Sequence, residues 1–172
     1  MSVRIKVKYD YRTFSNVNKY EVRAMCITDL PTVIQIDRDT WGDWSWPTEN
    51  FLDYFYDSSA RCWILEDKTS IDNSIVGYGF QKLYKTHSHI TNLCIHPNER
   101  GRGLGAKLLQ HMINYVRYLD IPIIELEVDT SNIRAYTLYY KTGFRVIQRL
   151  EGYYSNINDA YRMQLSVDLI SK

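Results

Sequence analysis

The sequence lacks any long hydrophobic run, and its longest unbroken apolar segments are only a few residues, as at 121–124. A membrane-spanning helix needs about 20 apolar residues, so we expect no transmembrane helix and no membrane partner. The first residues alternate charged with apolar side chains and form no continuous apolar stretch, which does not fit a secretory signal. These features favour a cytoplasmic protein.

Cysteine is scarce, and no two cysteines form a C-x-x-C pair. The three cysteines, Cys26, Cys62 and Cys94, are widely spaced and each lies beside an apolar residue. An odd number at such spacings predicts buried free thiols in a reducing compartment and no structural metal site. Cys94 is interpreted as a packed thiol rather than a nucleophile.

An excess of charge of one sign is also missing. The 21 Lys+Arg and 20 Asp+Glu residues give a net charge of +1. Proteins that bind the nucleic-acid backbone usually carry a larger positive net charge than this chain. The composition therefore gives no reason to expect direct nucleic-acid binding. Tyrosine, by contrast, is abundant: there are 15 Tyr and 4 Trp residues, which suit both packing and recognition surfaces.

The chain of 172 residues, of which 45% are hydrophobic, has the size and composition of about one globular domain. Strict alternation at 3–12 predicts a half-buried strand, with a basic RNA-contacting arm as the alternative. Thr28 and Asp29 are candidate caps for a first helix to about Asp39, and Thr48 for a second. The further predicted elements are strands at 20–25, 61–66, 75–84, 89–95, 123–128, 144–150 and 161–167, helices at 103–119 and 132–142, and a polar turn at 156–159.

This order of elements predicts a single mixed α/β domain. We expect a central sheet of about seven strands with flanking helices, and one extra strand at the N-terminus. The predicted boundaries are an extension at 1–19 and the domain proper at 20–172.

A glycine-rich turn, RGRGLGA at 100–106, lies between a strand that ends near Ile95 and a helix that begins near Gly103. Glycine lets a ligand approach the main chain closely, and the unpaired N–H groups of a helix N-terminus attract anions. The turn therefore predicts a pyrophosphate site, with a tight turn before a core helix as the alternative. The Gly-Lys-Ser/Thr of a Walker A loop is absent, and the turn comes too late in the chain for a dinucleotide fold.

The spacing Arg100-x-x-Gly103-x-Gly105 resembles the R/Q-x-x-G-x-G/A signature of the GCN5-related N-acetyltransferases, the GNAT superfamily. LYYKTGF at 138–144 resembles a second element of that superfamily. The chain is most similar to the RimI-type ribosomal-protein-alanine N-acetyltransferases, through LEVDTSN at 126–132 and Gly-Tyr-Tyr at 152–154. The resemblance covers about residues 20–168.

The resemblance implies an acetyl-CoA site in a cleft where two parallel central strands separate. It implies a cosubstrate-binding set formed by Leu93, Cys94, Ile95, Arg100, Gly101, Arg102, Gly103, Leu104, Gly105, Ala106, Asn132 and Tyr139. Ala106 replaces a basic residue common in the bacterial members, which implies one phosphate contact fewer.

The resemblance also implies catalytic roles for two residues. Glu127 matches the family's general base, and Tyr139 matches the proton donor to the leaving thiolate. Because side chains alternate along a strand, Glu125 shares the face of Glu127 and is the reserve candidate; structural salt bridges are the alternative for both. A strand N–H near Ile95 is the expected donor to the thioester oxygen.

The acceptor is expected to be a primary amine. An α-amine has a pKa near 8 and a lysine near 10.4, so a modest carboxylate base favours the N-terminal α-amine of a protein. The candidate recognition residues are Trp44, Trp46, Tyr153 and Tyr154, with a hydrophobic clasp as the alternative for the tryptophans. A small-molecule amine as acceptor and a non-catalytic acyl-CoA-binding or ribosome-associated module remain alternatives. Either a monomer or a homodimer is compatible with the sequence.

Overall fold

The computed structural model describes residues 19–70, 74–154 and 157–168. The strand expected at 3–12 lies outside the described residues. Seven strands and four α-helices follow in chain order: β1 (Tyr20–Ala24), α1 (Leu30–Trp41), α2 (Thr48–Tyr56), β2 (Ala60–Asp67), β3 (Ile75–Leu83), β4 (Ser88–Ile95), α3 (Leu104–Tyr118), β5 (Ile123–Asp129), α4 (Ile133–Thr142), β6 (Arg145–Tyr154) and β7 (Asn158–Ser166).

The strands form one mixed sheet in the order β1-β2-β3-β4-β5-β7-β6. Every pairing is antiparallel except that between β4 and β5, which is parallel. A parallel pair needs a crossover connection, and here α3 provides it. β4 and β5 are therefore the one parallel pair among the described strands, and they lie at the middle of the sheet.

Each face of the sheet has its own apolar core. Helices α1 and α2 cover one face of β2, β3 and β4, where Val33, Phe51 and Tyr78 are fully buried. Helices α3 and α4 cover the opposite face, where Leu108 and Met112 pack against β3 and β5. Strand β5 alternates buried and half-buried residues, so its carboxylates share the face that lacks α3, as its sequence predicts.

The parallel pair of β4 and β5 is short. Only three residue pairs are in register, from Ser88 opposite Ile124 to Ile90 opposite Leu126. On its other side, β4 has one extra residue, because Phe80 pairs with Asn92 and Gln81 with Ile90, which leaves Thr91 as a bulge. A bulge bends its strand and increases the local twist. Beyond Ile90 the two strands separate, and the backbone edge of β4 that faces β5 has no strand partner among the residues that the structure describes.

The fold class is confirmed, and the differences from the predicted elements are local. Helix α2 has Pro47 at its N-cap and Thr48 inside its first turn; proline at this point fixes the backbone, so Thr48 was wrongly predicted as the cap. Strand β7 begins at Asn158, so residues 158 and 159 of the predicted turn at 156–159 belong to the strand instead. Cys62 and Cys94 are at least partly buried, but Cys26 is exposed, which corrects the prediction for that thiol.

Within 19–70, 74–154 and 157–168, no helix is both long and apolar enough to cross a bilayer. The cytoplasmic location stays a prediction.

Two glycines of β3 allow the sheet to pack closely. A Cβ at Gly77 would lie 2.7 Å from the carbonyl oxygen of Cys94, which is backbone of β4. We expect Gly77→Ala to lower the free energy of unfolding by about 1–3 kcal/mol, since the strand has to shift. A Cβ at Gly79 meets only side chains, the nearest being the flexible Met112 at 2.9 Å. Gly79→Ala should therefore be the milder variant in urea unfolding, and the reverse order would contradict this account.

Candidate active site

A cavity of about 660 Å³ opens where β4 and β5 separate. The ends of both strands form its floor, and the loop after α1, helix α4 and the β6–β7 hairpin form its walls. Its lining residues are Trp41, Trp44, Trp46, Ile90, Thr91, Asn92, Leu93, Glu127, Val128, Asp129, Asn132, Ala135, Tyr139, Tyr153, Tyr154, Ile157 and Asn158.

Glu127 lies on β5, in the floor of the cavity, and both of its carboxylate oxygens have a hydrogen-bond partner. His89 Nε2 lies 2.7 Å from Oε2, and Arg162 Nε donates to Oε1 at 2.8 Å. The side chain of Glu127 is only 7% exposed. Burial raises the pKa of this carboxyl group, but the hydrogen bonds from His89 and Arg162 outweigh it and lower the pKa to about 2. Glu127 is therefore ionised throughout the neutral pH range.

Glu125 points to the same side of β5 but does not line the cavity. Its Oε1 accepts a hydrogen bond from Gln164 Nε2 at 3.0 Å. The two carboxylates that the sequence offers as bases thus have different environments, and of these two only Glu127 borders the cavity.

Tyr139 lies on α4 and is the other candidate catalytic residue at the cavity. It is 7% exposed, and its ring packs against Phe144 with the centroids 5.8 Å apart. Burial, with a smaller contribution from Cys94, raises the pKa of the phenol to about 12. The hydroxyl group is therefore protonated at neutral pH and can act as a hydrogen-bond donor.

The glycine-rich turn lies between β4 and α3 and forms the N-terminus of α3. Gly101 and Gly103 have φ values of 81° and 75°, a backbone conformation that favours glycine. Gly103 is the N-cap of α3. The amides of Leu104, Gly105 and Ala106 are the first in the helix, so they have no acceptor within it and can bind an anion.

The two arginines of this turn have partners within the protein. Arg100 Nε donates to the carbonyl of Ile95 at 2.9 Å, and its Nη2 donates to Thr40 Oγ1 at 3.2 Å. Arg102 donates to Glu99 at 2.7 Å. In this arrangement Arg100 fixes the turn to β4 and α1, and the anion-binding capacity of the turn comes first from backbone amides.

The tryptophan loop, residues 41–47, is fixed by a buried carboxylate. Asp37 on α1 is fully buried, accepts a hydrogen bond from the backbone N–H of Trp46 at 2.8 Å, and accepts another from the hydroxyl of Tyr78. The Trp46 ring packs against Phe51, with 5.6 Å between the centroids. Trp44, in contrast, is 68% exposed at the cavity mouth. The loop is thus both a packed clasp and a cavity wall.

The β6–β7 hairpin forms the opposite wall. Tyr153 and Tyr154 contact each other edge to face, with centroids 5.0 Å apart. Gly152, just before them, has a φ of 57°, and its N–H donates to Asp159 at 2.9 Å. Asp159 also accepts two hydrogen bonds from Arg149. These contacts stabilise the hairpin that presents the tyrosine pair.

The predicted site residues fall into three groups in the structure. Those at the cavity are Leu93, Glu127, Asn132, Tyr139, Trp44, Trp46, Tyr153 and Tyr154. The side chains of Cys94 and Ile95 point into the two cores instead, so only their backbone is available to a ligand. The turn residues 100–106 lie outside the cavity lining, at the start of α3.

Sequence reasoning missed His89, Arg162 and Asp37. Single charged or titratable residues on strands carry no motif. Alternation along β4 and β7 predicts which face of its strand His89 or Arg162 occupies. It does not predict that either residue contacts Glu127, because that contact depends on the register between strands. Asp37 falls within the first predicted helix, where a single acidic residue carries no motif.

A sheet that opens between two parallel strands, with a helix N-terminus beside the opening, is the arrangement that the sequence resemblance implies for the class of enzymes that transfer acetyl groups from acetyl-CoA to amines. Comparison with known proteins identifies the family. Residues 30–144 match the family model described as the acetyltransferase (GNAT) family. The chain belongs to this family and is an N-acetyltransferase of the GNAT type.

Three similar proteins illustrate the relationship. An uncharacterized N-acetyltransferase of Methanocaldococcus jannaschii is 32% identical, over 83% of this chain and 88% of that protein. The [ribosomal protein bS18]-alanine N-acetyltransferase of Salmonella typhimurium is 26% identical, over 86% of this chain and 98% of that protein. The crystal structure of the ribosomal-protein-S18-alanine N-acetyltransferase from Escherichia coli superposes with a TM-score of 0.78 at 22% identity, over 89% of this chain and 97% of that one, which shows a shared fold.

The ion pairs of Glu127 predict a specific pH dependence of stability. Its folded-state pKa lies below the ordinary value of 4.5, so its stabilisation is complete above about pH 4.5 and is lost as the pH falls towards 2. We expect Glu127→Gln to lower the free energy of unfolding on the order of 2 kcal/mol at pH 7, and by much less at pH 3. Urea unfolding at both values measures the difference. Glu125→Gln is the control, and an equal loss at both pH values in Glu127→Gln would contradict the ion-pair account.

Proposed function

We propose that this enzyme transfers an acetyl group from acetyl-CoA to the N-terminal α-amine of a protein, by direct attack of the amine. One observation carries the proposal: Glu127 and Tyr139 border the same cavity, between two loops rich in aromatic residues. The family assignment supports the reaction type, and the names of the relatives support an N-terminal acceptor.

The residues present fit acetyl-CoA. The amides of Leu104, Gly105 and Ala106 suit its pyrophosphate, as helix N-termini commonly bind phosphate groups. The unpaired edge of β4 beyond Ile90 suits the amide-bearing pantetheine arm, which would be bound much as an extended peptide is added to a sheet. Asn132 and Tyr139 would lie nearer the thioester end. Bound acetyl-CoA supplies an electrophilic thioester carbonyl and a thiolate leaving group.

Glu127 would help to remove the proton from the acceptor amine, directly or through a water molecule. With its pKa at about 2, the carboxylate is a weak base, but its negative charge attracts an ammonium group. It would therefore hold the amine at the cavity floor and lower the barrier to proton loss. A backbone N–H of β4, predicted near Ile95, would donate a hydrogen bond to the developing oxyanion.

Tyr139 would donate a hydrogen bond to the sulfur as the carbon–sulfur bond breaks. A thiol has an ordinary pKa near 8.5, whereas the pKa of Tyr139 is raised to about 12. Full proton transfer to a free thiolate would therefore be uphill. Tyr139 acts best as a donor that stays protonated and stabilises charge on sulfur while the bond breaks.

The aromatic rim supports an extended acceptor. Trp41, Trp44, Tyr153 and Tyr154 line the cavity and are themselves exposed, so the mouth opens to solvent with flat apolar surfaces on both sides. Such surfaces bind a peptide backbone and its side chains with little loss of rotamer freedom. The lower pKa of an α-amine, relative to lysine, also lowers the cost of reaching the neutral nucleophile.

The acceptor is tested with acetyl-CoA and a panel of free N-terminal peptides, lysine peptides and small amines, with release of the coenzyme A thiol as the readout. We expect the highest kcat/KM for a free N-terminal peptide. Preferential transfer to a polyamine, an aminosugar or a free amino acid would overturn the acceptor assignment and leave the enzyme class intact.

Two substitutions test the catalytic roles. We expect Glu127→Gln to lower kcat by about 100-fold, the usual contribution of a positioned base, and Glu125→Gln to lower it by less than about threefold, since Gln can still pair with its neighbours. A larger loss in the Glu125 variant would assign the base to that residue instead.

Tyr139→Phe should lower kcat by about tenfold to 100-fold, with little change in acetyl-CoA affinity, because it removes a single hydrogen-bond donor. Tyr140→Phe is the matched control: this tyrosine is the next residue on α4 and is 50% exposed. Isothermal titration with acetyl-CoA and steady-state kinetics separate the two effects. Equal losses in both variants would contradict the role of Tyr139.

A further inference from the structure

His89 lies behind Glu127, as seen from the cavity, and is not itself a lining residue. It belongs to the short stretch of β4 that pairs with β5, opposite Glu125. Strand alternation places His89 and Glu127 on the same face, and the imidazole Nε2 lies 2.7 Å from Glu127 Oε2. The His89 side chain is 26% exposed, so protons from solvent reach it.

The second partner of Glu127 has a fixed charge. Arg162 is the residue opposite Glu127 on β7, and its guanidinium donates to the other carboxylate oxygen at 2.8 Å. Arginine keeps its charge at every pH that a protein experiences. The other partner, His89, is a histidine, the residue type that commonly acts as a pH-dependent switch in proteins.

We propose that His89 sets the basicity of Glu127 and thereby the lower pH limit of acetyl transfer. The neutral imidazole is the active form, and the protonated imidazole is the slow form. This inference rests on the proposed role of Glu127, and it does not depend on which amine is the acceptor.

The chemistry follows from the two hydrogen bonds. A neutral imidazole donates one N–H to Oε2 and leaves Glu127 with Arg162 as its single cationic partner. A protonated imidazole adds a second positive charge beside the same carboxylate, and a nearby opposite charge favours the ionised form of a carboxyl group. A carboxylate held by two cations is a poorer proton acceptor, and base catalysis weakens accordingly. Histidine changes charge between about pH 5 and 8.

The other groups around His89 hold their own partners. On β3 its cross-strand neighbour is Lys82, whose Nζ lies 3.1 Å from Asp57. On β5, Glu125 accepts a hydrogen bond from Gln164. The titratable and charged groups that face this part of the sheet from β3, α2, β5, β6 and β7 are Lys82, Tyr54, Asp57, Glu125, Glu127, Tyr153 and Arg162. None of these listed groups is a histidine, so His89 is the one histidine in this set.

Two variants with opposite charge behaviour test the proposal. His89→Gln keeps an N–H donor near Glu127 but is neutral at every pH. His89→Arg keeps a donor but is always charged. The value of kcat/KM is measured from pH 5.5 to 8.5 with whichever amine wild type acetylates fastest, and each variant is divided by wild type at the same pH, so that ionisation of the acceptor cancels.

We expect the His89→Gln ratio to rise by about tenfold between pH 8.5 and 5.5, the effect of roughly one pKa unit on a base. The His89→Arg ratio should be about 0.1 at pH 8.5 and approach 1 at pH 5.5. His87→Gln is the matched control, since His87 lies on the same hairpin and stacks on Tyr84 with 4.5 Å between the centroids. Its ratio should not change with pH.

A His89→Gln ratio that is constant with pH overturns the proposal. If His89→Arg fails to show a cooperative thermal transition, the glutamine variant decides alone. His89→Gln in a Glu127→Gln background, divided by Glu127→Gln alone, should give a ratio that is constant with pH. A ratio that still rises towards low pH would mean that His89 does not act through Glu127, and it would also overturn the proposal. A failed α-amine assignment would appear in the acceptor panel and would leave these ratios unaffected.

Discussion

The separation of β4 from β5 is the constraint on which the rest of the site depends. Three register pairs hold the two strands together, and the bulge at Thr91 turns β4 away just beyond them. A fully paired parallel sheet would satisfy all of these backbone groups internally and leave no cleft. The unpaired edge of β4, the start of α3 and the carboxylate of Glu127 are brought to one opening because the crossover through α3 begins where the strands part. The cavity therefore results from incomplete pairing of the two strands, not from small side chains on them.

Around that opening, hydrogen bonds and ion pairs stabilise two carboxylates that are largely removed from solvent. Glu127 is nearly buried, and a buried carboxylate is tolerated when it is paired and hydrogen bonded. His89 and Arg162 supply that pairing from the two neighbouring strands. Asp37 is a similar case on the other side of the cavity, where it accepts hydrogen bonds from Trp46 and Tyr78. The cleft has two buried carboxylates, one that faces the cavity and one that fixes its wall.

Much of the fold could be predicted from the sequence, because local signals determine it. The predicted helices at 103–119 and 132–142 and the alternation along the strand at 123–128 each depend on a short window of sequence, and the structure confirms all three. The glycine turn was recognised because its motif lies within a few consecutive residues. The partners of Glu127 could not be recognised in this way. They depend on strand register, which is set by contacts between residues 35 to 38 positions apart. The exposure of Cys26 was missed for a related reason, because an apolar neighbour such as Met25 says nothing about which side of the chain faces solvent.

The β6–β7 hairpin joins two tasks in one element. Its tip carries Tyr153 and Tyr154, and its second strand carries Arg162 opposite Glu127. Side chains alternate along β7, so a slip of one residue would put Tyr161 or Met163 opposite Glu127 and leave the carboxylate without a cation from β7. Insertions and deletions in this family member should therefore be accommodated at the loop between the strands, where length can vary without altering the phase of β7. The loop can therefore change in length, whereas an odd change in the number of residues within β7 would turn Arg162 to the other face of the sheet.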